Sequence, residues 1–283
     1  MLTATEARRA RRRPTPSLRQ QYEEYVLQRI EGFKNSIPRD DLLRLGDEAV
    51  AEMQSTSEAQ FLLTEVLMLE SVDRLIMKRL ALRSYRRWRQ QFLKLREAQR
   101  QPTHWGLEPD CPLVTLLPRI EDQDPAVVVG AEAAAYLLAA HDAAVTFMAA
   151  DVGAVERVEA GMANESLASF FNSYVVQPGS WLPDVAEPFA LVVIDTGSLG
   201  EAPGAARAEY LDALQGRTAA GGVHVLLPGR GRLAPEALLS CYEGWHHDEV
   251  ARTRRRGSAR RGGIVLTRPA AGEHALSQAA NHH

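Results

Sequence analysis

The sequence predicts a helical N-terminal unit followed by an α/β unit built on a parallel sheet with helices on both faces. Three observations predict it. Charge is unevenly split: residues 1–104 hold 20 Lys+Arg and 14 Asp+Glu, giving +6, and residues 105–283 hold 13 and 22, giving −9, within a formal net charge of −3. Apolar residues recur at helical spacing in the first part and fall into short valine-rich runs after Pro125. Between them lie Pro102, Pro109, Pro112, Pro118 and Pro125, and proline removes a backbone donor and ends helices. The expected organisation is therefore a disordered basic arm over 1–17, a helical unit over 18–104, a connecting segment over 105–123, an α/β unit over 124–269 and a tail over 270–283.

Composition excludes several classes. With 283 residues, 45% hydrophobic and 24% charged, the chain has enough apolar surface to offset chain entropy, so wholesale disorder is excluded. The most apolar stretch, Ala126 to Met148, is broken by Glu132, His141 and Asp142, which argues against a membrane span. No apolar run follows the N-terminal arginines, so a secretory signal is not expected. Cys111 and Cys241 cannot form a disulfide framework, which points to a reducing cytoplasm.

The helical elements follow from spacing. Leu18, Tyr22, Tyr25, Val26, Arg29 and Ile30 carry a first stripe, interrupted by Pro38. A second helix over 39–53 offers Leu42, Leu45, Ala49, Val50 and Met53 for burial. Ser57 can cap a long third helix bearing Phe61, Leu62, Val66, Leu69, Val72, Leu75, Ile76 and Leu80. A fourth, over 84–100, places Tyr85, Trp88, Phe92 and Leu95 on one stripe.

After Pro125 the runs alternate. Strands are expected at Ala126–Val129, Ala144–Met148, Tyr174–Val176, Phe189–Ile194, Val223–Leu227 and Gly263–Thr267. Helices are expected at 133–140, 152–160, 205–215 and 234–242, and Gly221-Gly222 reads as a tight turn. In such sheets ligands lie beyond the carboxyl ends of the strands.

This order resembles the class I S-adenosylmethionine-dependent methyltransferases over residues 124–269. The register is carried by Ala126-Val127-Val128-Val129-Gly130, Ala144-Val145-Thr146-Phe147-Met148 and Pro188-Phe189-Ala190-Leu191-Val192-Val193-Ile194-Asp195. Cys241 to Trp245 and Gly262 to Leu266 look like the family's closing antiparallel hairpin. The resemblance implies a Rossmann-like sheet and S-adenosylmethionine as cofactor. The family holds that cofactor with a glycine-rich turn after the first strand, where glycine lets backbone approach the ligand. Here Gly130 is followed by Ala131, Glu132 and Ala134, and Glu132 and Ala134 stand where later glycines are expected. Val128 and Pro178 replace expected acidic residues, and Phe189-Ala190 replaces a common Phe-Asp pair. Asp151, after the second strand, matches the carboxylate that takes the ribose hydroxyls; it also reads as a helix cap. Gly179, Ser180 and Asp195 complete the expected pocket, and Asp195 reads equally as a cap of its own loop. Each lost charged hydrogen bond removes roughly 1.5–3 kcal/mol, so weak or absent cofactor binding is expected. Glu132 could instead meet the cofactor's cationic amino end.

Other chemistry is thin. No G-x-G-x-x-G follows the first strand, which argues against a dinucleotide dehydrogenase. Adjacent His246 and His247 on an extended segment point to opposite faces, which argues against a metal site. Arginines in Arg8–Arg13, Arg83–Arg100 and Arg252–Arg261 read either as contacts for nucleic acid or as solvated faces. Three functions remain: a non-catalytic scaffold with its protein partner on the helical unit, a divergent methyltransferase of unknown acceptor, and a nucleic-acid-binding module.

Overall fold

The computed structural model describes residues 16–54, 65–177, 181–183, 188–231, 233–249 and 263–270. The chain divides into two compact units, Met1–Leu95 and Arg96–His283. The arginine-rich segments 8–13 and 252–261 lie outside the described residues, as do Ser57, Phe61 and Leu62 of the expected third helix.

In the first unit, α1 (Leu18–Ser36) begins with a capping box. Ser17 Oγ accepts from the Gln20 N–H at 3.2 Å, and Gln20 Oε1 accepts from the Ser17 N–H at 2.8 Å. The chain then forms α2 (Arg39–Gln54), α3 (Glu65–Arg79) and α4 (Tyr85–Gln99). Ile30, Leu45, Ala49, Val72, Leu75 and Ile76 are its buried core. Trp88 is buried on the expected stripe of α4, with ring centroids of Phe92 at 4.8 Å, Tyr22 at 5.4 Å, and Tyr25 and Tyr85 at 6.2 Å.

In the second unit the strands are β1 (Pro125–Val129), β2 (Ala144–Ala149), β3 (Phe171–Val175), β4 (Phe189–Asp195), β5 (Thr218–Leu227), β6 (His246–Glu249) and β7 (Ile264–Thr267). They form one sheet in the order β3-β2-β1-β4-β5-β7-β6. The first five run parallel, and β7 lies antiparallel to both β5 and β6. Four helices complete the unit: α5 (Pro112–Leu116), α6 (Glu132–Ala140), α7 (Val152–Asn164) and α8 (Gly204–Gly216). Alternating side chains of each strand face opposite ways, so two cores form. Ala126 and Val128 pack with α5, α6 and α7 on one face. Val127 and Val129 pack with Leu199, Leu211 and Leu214 on the other. This double burial is why β1 and β4 read as continuous apolar runs.

Several expected boundaries move. The stretch 105–123, expected to connect, folds onto the sheet, with Leu113 and Leu116 buried in the first of these cores. The third strand starts at Phe171, three residues before Tyr174, because its Asn172 and Ser173 stand on an edge strand with partly open faces. The fifth begins at Thr218, and Ala219–Gly222 form an irregularity within it: Phe189 pairs with Thr218 and Leu191 with Val223. The α-helix expected over 234–242 is a 3₁₀ segment, Pro235–Cys241, and the hairpin strand starts at His246 rather than within 241–245.

The end of α4 is anchored within the second unit. Arg96 and Arg100 meet Asp142 Oδ1 and Oδ2 at 2.7 and 2.9 Å. Asp142 adopts φ +62, a left-handed turn after α6 that short polar residues tolerate. Gln99 donates to Glu165 Oε2 at 2.9 Å, and Trp105 Nε1 donates to the Gln99 carbonyl at 2.6 Å.

Candidate functional site at the carboxyl ends of the strands

Gly130, Ala131 and Glu132 follow β1, Asp151 follows β2, and Asp195 ends β4. All therefore lie at one end of the parallel strands, where they divide into two clusters. Gly179 and Ser180 lie outside the described residues.

The first cluster joins α6 to α7. Asp151 is the N-cap of α7: its Oδ1 accepts from the Gly153 N–H and its Oδ2 from the Ala154 N–H, each at 3.1 Å. The capping role proposed for it is thus present, and the carboxylate remains 70% exposed, open to solvent on its other lone pairs. Glu132, in the first turn of α6, accepts from Arg157 Nη2 at 2.9 Å. The same nitrogen is 3.9 Å from Asp151 Oδ2. Arg157 thus spans the two carboxylates. Gly153 leaves room for it: a Cβ there would stand 3.5 Å from Arg157 Nη1. Tyr136 pins the base of this clasp. Its hydroxyl donates to the Arg157 carbonyl at 3.1 Å, its ring stacks on Trp105 at 4.8 Å, and it lies over Gly161, where a Cβ would come within 2.7 Å of the ring carbon Cζ.

The second cluster closes the space beyond β1, β4 and β5. Gly130 has φ +70, and its N–H bonds to the Met148 carbonyl at 2.9 Å. A Cβ on Gly130 would stand 2.7 Å from Ser198 Cβ. The close approach that this glycine permits is therefore made to Ser198 of the same chain. Ser198 Oγ donates to the Asp195 carbonyl at 2.6 Å, and the Gly197 N–H donates to Asp195 Oδ1 at 2.7 Å. Asp195 caps its own loop, the other role the sequence allowed. Gly229 presses on that carboxylate so closely that any Cβ would overlap Asp195 Oδ1, and Gly231 packs against Gly197 Cα. Burial pushes the Asp195 carboxyl above its ordinary pKa, opposed by the N–H groups of Gly197 and Ser198. Thr196 is fully buried and donates to the Leu233 carbonyl at 2.7 Å.

The sheet order and the antiparallel β7 between β5 and β6 decide the architecture. The second unit has the fold of the class I S-adenosylmethionine-dependent methyltransferases. No protein-family model and no curated protein matches the chain. Among solved structures, a glycopeptide N-methyltransferase in complex with S-adenosylmethionine is 14% identical, covering 58% of this chain and 94% of its own, at a TM-score of 0.42. An rRNA methylase from Streptococcus thermophilus is 14% identical, covering 55% and 93%, at 0.42. A precorrin-6y C5,15-methyltransferase from Geobacter metallireducens is 17% identical, covering 55% and 85%, at 0.39. These likenesses are slight, and the fold rests on strand order and direction.

Tested against S-adenosylmethionine, the residues on this methyltransferase sheet fit poorly. The turn after β1 carries Glu132 held by a cation, and its one glycine is packed against Ser198. Asp151 alone has the position and the exposure to meet ribose hydroxyls. Arg157, Ser198, Gly153 and Gly229 were not singled out from the sequence. Arg157 lies 25 residues from Glu132, and nothing local couples them. A visible signal was the spacing Gly153, Arg157, Gly161, which places all three on one side of α7.

Proposed function

We propose that the chain is a methyltransferase-fold protein that works without cofactor turnover, as a binding or scaffold protein. The observation that carries this reading is the clasp of Glu132 and Asp151 by Arg157: the two carboxylates a cofactor would use are already bridged by a cation of the same chain. The packing of Gly130 on Ser198 supports it from the other side of the turn. The protein partner is expected on the helical unit.

The exposure of Asp151 favours a second reading, a divergent methyltransferase in which this carboxylate holds the ribose while Arg157 swings away. Calorimetric titration of the full chain with S-adenosylmethionine separates the two. The scaffold reading expects a Kd near or above about 1 mM, roughly −4 kcal/mol. A low-micromolar Kd abolished by Asp151→Ala would establish the enzyme reading in its place.

A further inference from the structure

From Arg74 to Arg96 the sequence carries nine cations, Arg74, Lys78, Arg79, Arg83, Arg86, Arg87, Arg89, Lys94 and Arg96, and no carboxylate. The structure sorts them. Lys78 pairs with Glu52 at 3.0 Å, Arg79 pairs with Glu48, and Arg96 meets Asp142. Cations on the other helices of the first unit are matched in the same way: Arg19 with Glu23, Lys34 with Glu31 and Asp73, Arg44 with Asp41. On α4 the pattern is different. Arg86, Arg87, Arg89 and Lys94 are exposed along a helix whose opposite stripe is the buried Trp88 with Tyr85 and Phe92. Arg83, also exposed, precedes the helix and lays its guanidinium along it against Gln91.

We infer that this ridge, Arg83, Arg86, Arg87 and Lys94, is a docking surface for the phosphate backbone of a nucleic acid duplex. Charge is the first argument. The helix holds its cations without neighbouring carboxylates over a span of roughly 12 Å from 86 to 94. A duplex presents about one phosphate per 1.7 Å of axis, so several phosphates fall within that reach. The inward position of the aromatics is the second. Single-strand binders stack bases on exposed rings, whereas here the rings are committed to the unit's own packing, with the Tyr22 hydroxyl donating to the Arg83 carbonyl at 2.9 Å. A ridge of cations without exposed aromatics contacts phosphates rather than base faces, and it gives sequence-independent binding. The surface is independent of the cofactor clasp and stands whichever reading of that site is correct.

The test uses the full chain and labelled 20-base-pair duplexes of RNA and of DNA, followed by fluorescence anisotropy from 50 to 200 mM salt. The quadruple variant R83Q/R86Q/R87Q/K94Q should bind at least tenfold more weakly at 50 mM salt. Its slope of log affinity against log salt should be shallower by about 3, at roughly 0.9 per phosphate lost. A charge-matched variant, R29Q/R39Q/R44Q/R119Q, should keep the wild-type slope. The RNA and DNA arms decide which duplex is preferred, and circular dichroism confirms that both variants stay helical. Four outcomes overturn the proposal: no duplex binding by the wild type at 50 mM salt, no change in the ridge variant, an equal loss in both variants, or ridge-dependent binding to phosphatidylserine vesicles without duplex binding. The last would assign the ridge, with the exposed Leu93 and Leu95 beside it, to a membrane surface.

Discussion

The two clusters at the carboxyl ends of the strands are closed by different physics. Beyond β4 and β5 the closure is steric: Gly130, Gly197, Gly229 and Gly231 bring backbone against backbone around Asp195, and a single added methyl group has no space. Between α6 and α7 the closure is electrostatic: Arg157 reaches Glu132 and Asp151 while 62% exposed, so water and salt compete for each contact. The first kind of closure is part of the fold's packing. The second can be undone by one substitution without disturbing the fold. That difference locates where the methyltransferase pocket is irreversibly altered and where it is only occupied.

The largest effect is expected on the packed side. Gly229→Ala places a methyl group on the Asp195 carboxylate and 2.6 Å from the Gly197 nitrogen, so the loops after β4 and β5 must separate. Urea unfolding should show a loss of about 3 kcal/mol, the upper part of the usual overpacking range. A change within experimental error would mean that the interlock is loose, and the contrast between the clusters would vanish.

A second effect comes from beneath the same side. His224 on β5 is fully buried, with Nε2 2.7 Å from Thr218 Oγ1 and Nδ1 2.9 Å from the Tyr242 hydroxyl. Thr218 Oγ1 donates to the Leu214 carbonyl at 2.8 Å and so accepts from Nε2–H, while Tyr242 donates to Nδ1. Burial, reinforced by the Arg268 charge, pulls its pKa from 6.5 down to about 3. The unfolded chain then binds the proton more readily than the folded one. The stability is fully present above about pH 6.5 and is lost as pH falls toward 3, with about 2 kcal/mol gone by pH 5. His224→Phe should flatten that part of the pH profile, and an unchanged profile would place the titration elsewhere.

Smaller effects belong to the clasp. Asp151→Ala removes the cap of α7 and should cost about 1 kcal/mol in urea unfolding at neutral pH. A loss as large as that of Gly229→Ala would contradict the exposed, electrostatic character of this side. Arg157→Ala should leave the unfolding midpoint unchanged. A lowered midpoint would show that Arg157 holds α6 to α7 as a structural tie rather than lying over the site.

Legibility in the sequence followed burial. The strands β1, β2 and β4 were readable because both faces are covered and valine and alanine dominate. The edge strand β3 was misplaced because Asn172 and Ser173 stand where an interior strand would be apolar. The fifth strand was read too short because Gly221-Gly222, a turn signal, here lies in an irregularity where a Cβ at 222 would meet the Phe189 carbonyl at 3.0 Å. In the site, the chain supplied Gly130, Glu132, Asp151 and Asp195 at one end of the sheet, since each follows its strand directly. Their present partners were not readable. Arg157, Ser198 and Gly229 meet them only through tertiary packing, and no local pattern encodes those encounters.

The most direct measurement is a paired calorimetric titration with S-adenosylmethionine of the wild type and of Glu132→Gly. If the chain's own side chains occupy the mouth beside β1, removing Glu132 both clears volume and releases Arg157 from its nearer carboxylate. The variant should then bind at least tenfold more tightly than a wild type that binds near or above about 1 mM, a gain of about 1.4 kcal/mol. A wild type that binds in the low micromolar range and loses affinity on Glu132→Gly would contradict the account, because it would make Glu132 a cofactor contact rather than an obstacle.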